Sequence, residues 1–430
     1  MSRCESVHLL PDPRRVITKP FLPREEILPD GSSRMRIVLE RILAMPEHTV
    51  ADTLGTTIAA FDGRHRDLDA VLARNFDVVV HRLGHADLLG QPMSDERRNL
   101  IGAYFTHEYS IEAAALGNPS IVAGPDQSGL GDREVRVVIS LRAIGEGHVS
   151  SVEFRSGVLG PDAAMRLDPP GRYTTTGTTT PAADTPGSRP PDYHVRFPAT
   201  VDISERVLFP SDPTESHGME DARFVRFVDD DGRVVYYATY TAFDGRQIRS
   251  RLLETDDFVD FRVTTLAGAA AGNKGIALFP RRIDGRFMAL GRHDNVNNYV
   301  MVTDDVHEWH RATVIQEPEL PWELMQLGNC GPPIETEAGW LVITHGVGPM
   351  RQYTLGAVLL DHDDPTRVLG HLKQPLLAAA PDEREGYVPN VVYSCGAMTH
   401  DGQLVVPYGF ADVGAHLATT PLPDLLDRLQ

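Results

Sequence analysis

The sequence predicts an all-β protein, a five-bladed β-propeller with an N-terminal α-helical extension, and three observations predict it. Short β-rich runs separated by turn residues fill the chain from about Asn118 onward. Three joints are Asp-Gly, at Asp231-Gly232, Asp284-Gly285 and Asp401-Gly402, each between two strand candidates, the favoured chemistry of a tight hairpin. Hairpins of one plan, an apolar strand, a turn and a second strand ending in a polar cluster such as TYTAFDGR, GRHD or GFAD, return roughly every 50 to 60 residues, so that about five units fit.

Taken in order, residues 1–33 form an N-terminal segment, a candidate propeller-closing strand. From 34 to 116 the pattern is helical: RMRIVLERILAM places apolar residues at three-to-four spacing, and DLDAVLARNFDVVVHRL and SDERRNLIGAYFTHEYSIEAAAL continue it. Ser94 followed by Asp95 and Glu96 is a helix start, because a short polar side chain caps free amides and early acids suit the helix dipole. Residues 117–430 are the propeller and the expected catalytic domain. They are interrupted at 167–194 by a Thr/Pro/Gly-rich stretch without apolar spacing, read as a long surface loop.

Composition excludes several classes. With 430 residues, 41% of them hydrophobic, the chain can bury a large core. Its formal charge of -19, from 41 Lys+Arg against 60 Asp+Glu, repels a phosphate backbone or an anionic membrane, so neither nucleic acid nor membrane is an expected partner. No stretch has the apolar length of a signal-peptide core or a membrane span, which makes the cytoplasm the expected location. Cys4, Cys330 and Cys395 are widely spaced without a CxxC pair and read as reduced thiols. The acidic runs DDFVD and DHDDP lack metal-loop spacing, and no dinucleotide or phosphate-loop glycine pattern is present, so no metal or organic cofactor is expected.

In a propeller the inner strand ends converge on the central channel, so charged residues distant in sequence can meet there. The candidates are Arg142 with Glu146 and His148, Glu220 with Asp221 and Arg223, Lys274, Arg292 with His293 and Asp294, His345, Arg351 with Tyr353, and Asp412. Singly, each cation or acid could be a solvated surface charge and His345 a core histidine. Several cations with several acids at corresponding positions suit a polyol substrate plus an anion.

Five ordered motifs, GMEDARFV, NKGIALFPRRIDGRFMALGR, LGNCGPPIETEAGWLVITHGVGPMRQYTLGAVLLDHDDPTRVLG, VPNVVYSCGAM and YGFADVGAHLATTPLPDLL, together resemble glycoside hydrolase family 130, the β-mannoside phosphorylases and β-mannosidases. The resemblance runs from about Asn118 to the C-terminus and likewise implies a five-bladed propeller. The helical part looks like the extension of longer members, for which homo-oligomer contacts or a partial cover over the site are the roles considered. The stretch EDAR matches the family's Glu-Asp-Pro-Arg motif with Ala222 in place of proline, implying Asp221 as general acid, which protonates the leaving oxygen through the mannose 3-hydroxyl. The resemblance implies a phosphate pocket of Lys274, Arg292, His345 and Tyr353, and sugar contacts from Asn118, Arg142, Glu220, Asp294 and Asp412. Arg223 would orient the carboxylates or touch substrate.

The leading expectation is an inverting β-mannoside phosphorylase that takes a β-mannosyl di- or oligosaccharide and inorganic phosphate to α-mannose 1-phosphate, with phosphate as co-substrate. A phosphorylase needs no second carboxylate to activate water, because phosphate is already nucleophilic. The alternatives are an inverting β-mannosidase, with Glu146, Glu153 or Glu385 as base, and a non-catalytic sugar-binding propeller.

Overall fold

The computed structural model describes residues 1–23, 33–83, 92–182 and 192–429. The chain divides into a mostly β unit, Met1–Asp12 with Glu112–Gly171 and Thr176–Gln430, and a smaller one, Pro13–Ile111 with Arg172–Thr175.

In the smaller unit four helices follow one another: α1 (Arg34–Leu43), α2 (Glu47–Phe61), α3 (Leu68–Leu83) and α4 (Asp95–Tyr104). Their apolar faces, Met35, Leu39 and Ile42 of α1, Val50 and Leu54 of α2, Leu72, Phe76 and Val79 of α3, and Leu100 and Ile101 of α4, share one core. The Ser94 hydroxyl accepts the Arg97 amide at the start of α4. The helical reading to residue 116 is corrected beyond Tyr104. Thr106–Ser110 is a strand paired antiparallel with Val16–Pro20, and Ala115–Ala123 opens the larger unit's sheets. Cross-strand partners overrode the helical propensity of an alanine-rich stretch. Among the described residues no helix is long and apolar enough to cross a membrane.

The larger unit is a succession of antiparallel groups. One joins the two ends of the chain: Ser2–Leu9 pairs with Gly414–Pro421, which pairs with Gln403–Phe410 and then Val392–Tyr393. The second runs Ala115–Ala123, Val135–Ile144, Ser150–Leu159. The third runs Gly218–Val228, Val234–Phe243, Ile248–Thr255, Asp260–Thr265, and meets the second through the single parallel step Gly218↔Ser150. The fourth holds Ala277–Leu278, Phe287–Gly291, Asn298–Thr303 and Ala312–Gln316. The fifth holds Gln326–Asn329, Gly339–Val347, Tyr353–Leu360 and Val368–His371. Apolar faces meet between groups; Phe154, Phe224, Phe258 and Phe261, for example, pack edge-on and stacked in one cluster.

Asp284-Gly285 and Asp401-Gly402 are two-residue hairpin turns with both residues at positive φ, the backbone that Asp and Gly tolerate best, whereas Asp231-Gly232 is part of a longer loop between Val228 and Val234 in which only Gly232 has positive φ. The expected loop at 167–194 needs correction where it is described. Thr178–Pro181 is an exposed edge strand on Tyr193–Arg196, preceded by the short strand Thr175–Thr176. β-Branched threonines accept an extended backbone, and an edge tolerates the proline. Residues 183–191 of that segment lie outside the described residues. Cys330 and Cys395 are buried and form no disulfide among the described residues.

Candidate active site

The site begins with two matching interruptions in the ladders. Along Ala115–Ala123 the register passes from Gly117↔Arg142 to Ser120↔Ser140, so Asn118 and Pro119 oppose a single partner residue. Along Gly218–Val228 it passes from Glu220↔Thr241 to Arg223↔Thr239, leaving Asp221 and Ala222 in the same relation. Each is a β-bulge, and in each the first bulged residue is left-handed, φ +48 at Asn118 and +55 at Asp221. A bulge re-aims a side chain, and both side chains line one cavity of about 310 Å³. Asn118 Nδ2 donates to Asp221 Oδ1 at 2.5 Å. Asp412, φ +50, reaches the same cavity from the tight turn between Gln403–Phe410 and Gly414–Pro421.

Cations surround these acids. Arg142 donates to Glu220 at 2.8 Å and stands 3.6 Å from Asp221, while Lys274 Nζ lies 3.6 Å from Glu220. Arg223 is buried and spans from the carbonyl and side chain of Asn329 to the Tyr393 hydroxyl, 2.7 Å away. Arg292, also in the lining, donates to His345 Nε2 at 3.2 Å. This closeness requires Gly328, where a Cβ would lie 2.6 Å from the His345 ring and 3.1 Å from Arg292. The Nε of Arg292 and that of Arg142 are buried with no hydrogen-bond partner among the described residues, which leaves each a donor to offer.

The titration of these groups follows from their surroundings. Burial would raise Asp221, but Arg142, Arg223, the Asn118 amide and Lys274 outweigh it and hold the carboxyl below the usual range. Asp412 stands above its usual range, pushed up by burial and by the charges of Asp221 and Glu220 against the pull of Arg142 and Arg351. His345 is held well below the usual imidazole range by burial and by the neighbouring Arg292 and Arg223. It is therefore a neutral ring at neutral pH, and Arg292 as donor makes Nε2 the acceptor, which puts the ring proton on Nδ1, 3.7 Å from the Cys330 thiol.

Of the residues expected at the site, Asn118, Asp221, Arg223, Lys274, Arg292, Tyr353 and Asp412 line the cavity. Arg142 and Glu220 stand one contact back, on Asp221 and Lys274. His345 is 2% exposed and lies behind Arg292, with the Tyr353 ring stacked over it at 6.0 Å. Asp294 does not line the cavity: its carboxylate accepts the amides of Val296 and Asn297 and the Tyr299 hydroxyl, closing its own turn. The neighbouring Asn295, φ +66, lines it instead. Sequence reasoning also missed Gln326 and Tyr393, and Arg351, a strand-end candidate without an assigned role, is in the lining. Tyr393 lay within the quoted VPNVVYSCGAM motif, which was the available signal. Among the described residues no cluster of three or more His, Cys, Asp or Glu is placed to hold a metal.

The family model of glycoside hydrolase family 130, described as beta-1,4-mannooligosaccharide phosphorylase, matches residues 196–430. A 1,2-beta-oligomannan phosphorylase of Thermoanaerobacter is 36% identical over 229 residues, 52% of this chain and 75% of that one. A beta-1,2-mannobiose phosphorylase of Listeria innocua is 29% identical over 231 residues, 52% of this chain and 63% of that one. Among solved structures, a putative glycoside hydrolase from Parabacteroides distasonis superposes with a TM-score of 0.53 at 18% identity, over 73% of this chain and 89% of that one. The Listeria enzyme in complex with beta-1,2-mannobiose gives 0.50 at 20% identity, over 74% and 92%.

Proposed function

This chain belongs to glycoside hydrolase family 130, and from that premise we propose that it is an inverting β-mannoside phosphorylase acting on β-1,2-linked mannobiose or oligomannan, with inorganic phosphate as co-substrate. The observation that carries the reading is one cavity lined by Asp221 together with Lys274, Arg292, Arg351 and Tyr353. The linkage follows the two relatives whose printed names specify β-1,2 bonds. The five antiparallel groups, closed end to end by the pairing of Ser2–Leu9 with Gly414–Pro421, are read as the blades of a five-bladed propeller, the architecture of the family's solved members.

Asp221 supplies the proton to the leaving oxygen, by way of the mannose 3-hydroxyl, while hydrogen phosphate attacks the anomeric carbon from the opposite face. The proton balance closes, because hydrogen phosphate carries one proton and that proton replaces the one Asp221 gives up. Arg292, fixed by the neutral His345, and Lys274 hold the dianion by charge-assisted hydrogen bonds, with Arg351 and the Tyr353 hydroxyl completing the cradle. Asn118, Asp412, Arg142 and Glu220 grip sugar hydroxyls or the groups that do. Asp221 starts as a carboxylate, and a dianion that neutralises Lys274 removes one of the charges holding it ionised. Phosphate binding thereby favours uptake of one solvent proton by Asp221, which the carboxyl returns to solvent after the products leave.

None of the three acids considered as the base of a mannosidase lines the cavity. Glu146 and Glu385 are exposed, and Glu153 is buried against Arg155 at 3.3 Å. Incubation with β-1,2-mannobiose with and without phosphate tests the reading. Phosphate-dependent release of α-mannose 1-phosphate is expected; equal release of free mannose in both would overturn it.

A further inference from the structure

One aromatic pair at the cavity's end of the sheets has no part in the chemistry above. His148, which closes the turn after the Arg142 strand, stacks on Tyr387 with ring centroids 5.2 Å apart and planes 24° from parallel. Tyr387 is nevertheless 64% exposed, so much of its ring faces water. A single exposed aromatic is ordinary; its placement is what carries information.

The Tyr387 side of the pair adjoins the cavity, and the His148 side adjoins the strand that carries Asp221. The residue after Tyr387, Val388, lines it, and its amide donates to the Ala411 carbonyl at 3.0 Å, the residue before Asp412. Gly386 presses on the same carbonyl, where a Cβ would come within 2.4 Å. On the other side, Ser150, two residues after His148, runs beside Gly218 at the entry to the Asp221 strand. The stack thus joins a residue beside the cavity-lining Val388, next to the Asp412 turn, to the turn that leads into Ser150 and the start of the Asp221 strand.

Pyranose rings present an apolar face of C–H groups, and an exposed aromatic backed by a second ring is a surface such a face can cover. We propose that Tyr387, supported by His148, is the platform on which the leaving sugar of the β-mannoside stacks, making this pair a determinant of acceptor specificity. The proposal rests on the phosphorylase reading for its kinetic test and on saccharide binding alone for a second one.

In the synthetic direction, from α-mannose 1-phosphate and mannose, Tyr387→Ala should raise the acceptor KM about tenfold while the KM for α-mannose 1-phosphate stays within about twofold. Tyr387→Phe should rescue the acceptor KM, since the ring and not the hydroxyl makes the contact. An unchanged acceptor KM in Tyr387→Ala, or equal rises in both constants, overturns the platform. If the wild type makes no α-mannose 1-phosphate at all, the phosphorylase reading fails by itself. Calorimetry with β-1,2-mannobiose then decides the platform, comparing Asp221→Asn with Asp221→Asn/Tyr387→Ala: about tenfold weaker binding by the double variant upholds it, and equal affinities overturn it.

Discussion

Asn118 and Asp221 occupy the same position in two bulges of the same kind, on neighbouring groups of strands, and are joined by a 2.5 Å hydrogen bond between their side chains. A bulged residue gives up ladder pairing, and left-handed backbone costs an ordinary L-residue about 1 kcal/mol or more, least for Asn and Asp. The identity of these two residues is thus set twice, once by the backbone and once by the chemistry.

The equivalence explains the alanine that follows the acid. Pro119 stands where Ala222 stands, and a position outside the ladder does not miss the amide proton that proline lacks. Ala222→Pro should therefore fold, keep its activity, and gain roughly 0.5 kcal/mol from a stiffer unfolded chain. Urea midpoints check this, and a loss above about 1 kcal/mol would refute the equivalence.

Asp221→Asn keeps a side chain suited to φ +55 while removing the proton donor, so phosphorolysis should fall by roughly 10² to 10⁴-fold with the fold retained. The carboxyl's position below its usual range means that at about pH 5 it is ionised in the free protein. Phosphate should raise it. Calorimetry in two buffers of different ionisation enthalpy should show more protons taken up per phosphate bound by the wild type than by Asp221→Asn; equal uptake would remove the loading step.

His345 acts through Arg292, and its substitution should separate two constants. His345→Gln should raise the KM for phosphate by roughly tenfold with little change in the KM for mannobiose, because the guanidinium loses its fixed partner. The ring's depressed pKa also gives a sign. Below the unfolded value of about 6.5 the unfolded chain binds a proton that the folded one refuses, so stability falls as pH drops from there toward the folded value. Urea midpoints between about pH 5 and 7 should show a shallower slope in His345→Gln than in the wild type.

Asp412 titrates in the other direction, its folded pKa raised, so above the unfolded pKa of about 3.9 the ionised side chain is a burden on the fold. Asp412→Asn, which suits φ +50 equally well, should make the protein more stable at pH 7 by about 1 kcal/mol and impair turnover. Thermal unfolding beside mannobiose kinetics shows whether stability and activity part in this way.

What the sequence disclosed depended on how local the determinant was. Asp284-Gly285 and Asp401-Gly402 announce their hairpins because two residues carry the whole turn geometry. Asp294 and Asn295 are neighbours with equally polar side chains, and only the closed turn, in which Asp294 is consumed by the amides of Val296 and Asn297, tells which one faces the cavity. His345 was legible both as a site residue and as a core histidine, and only the fold places it as a buried neutral ring behind Arg292, since its burial is made by strands distant in sequence. Residues 106–116 failed for a similar reason, their extended form being set by pairing with Val16–Pro20 and Val135–Ile144.

No sequence pattern marked Glu383, yet it ties the two ends of the chain together. Its carboxylate is buried and accepts from Arg3 on the first strand, from His416 on the last, from the Tyr408 hydroxyl and from the Ala380 amide. Burial works against the charge, but these donors outweigh it and hold the carboxyl far below its usual range. Glu383→Gln should cost about 1–3 kcal/mol at pH 7, the scale of leaving donors without their acceptor around one buried carboxylate. Because a depressed carboxyl contributes stability above its unfolded pKa of about 4.3 and loses it on further acidification, the gap between variant and wild type should narrow as pH falls below about 4. Hydrogen exchange gives the location. If Glu383 secures the closure, amides of residues 2–9 and 414–421 should exchange faster in Glu383→Gln at pH 7 while those of Val234–Phe243 hold, and uniform acceleration across all the strands would make Glu383 an ordinary core contact.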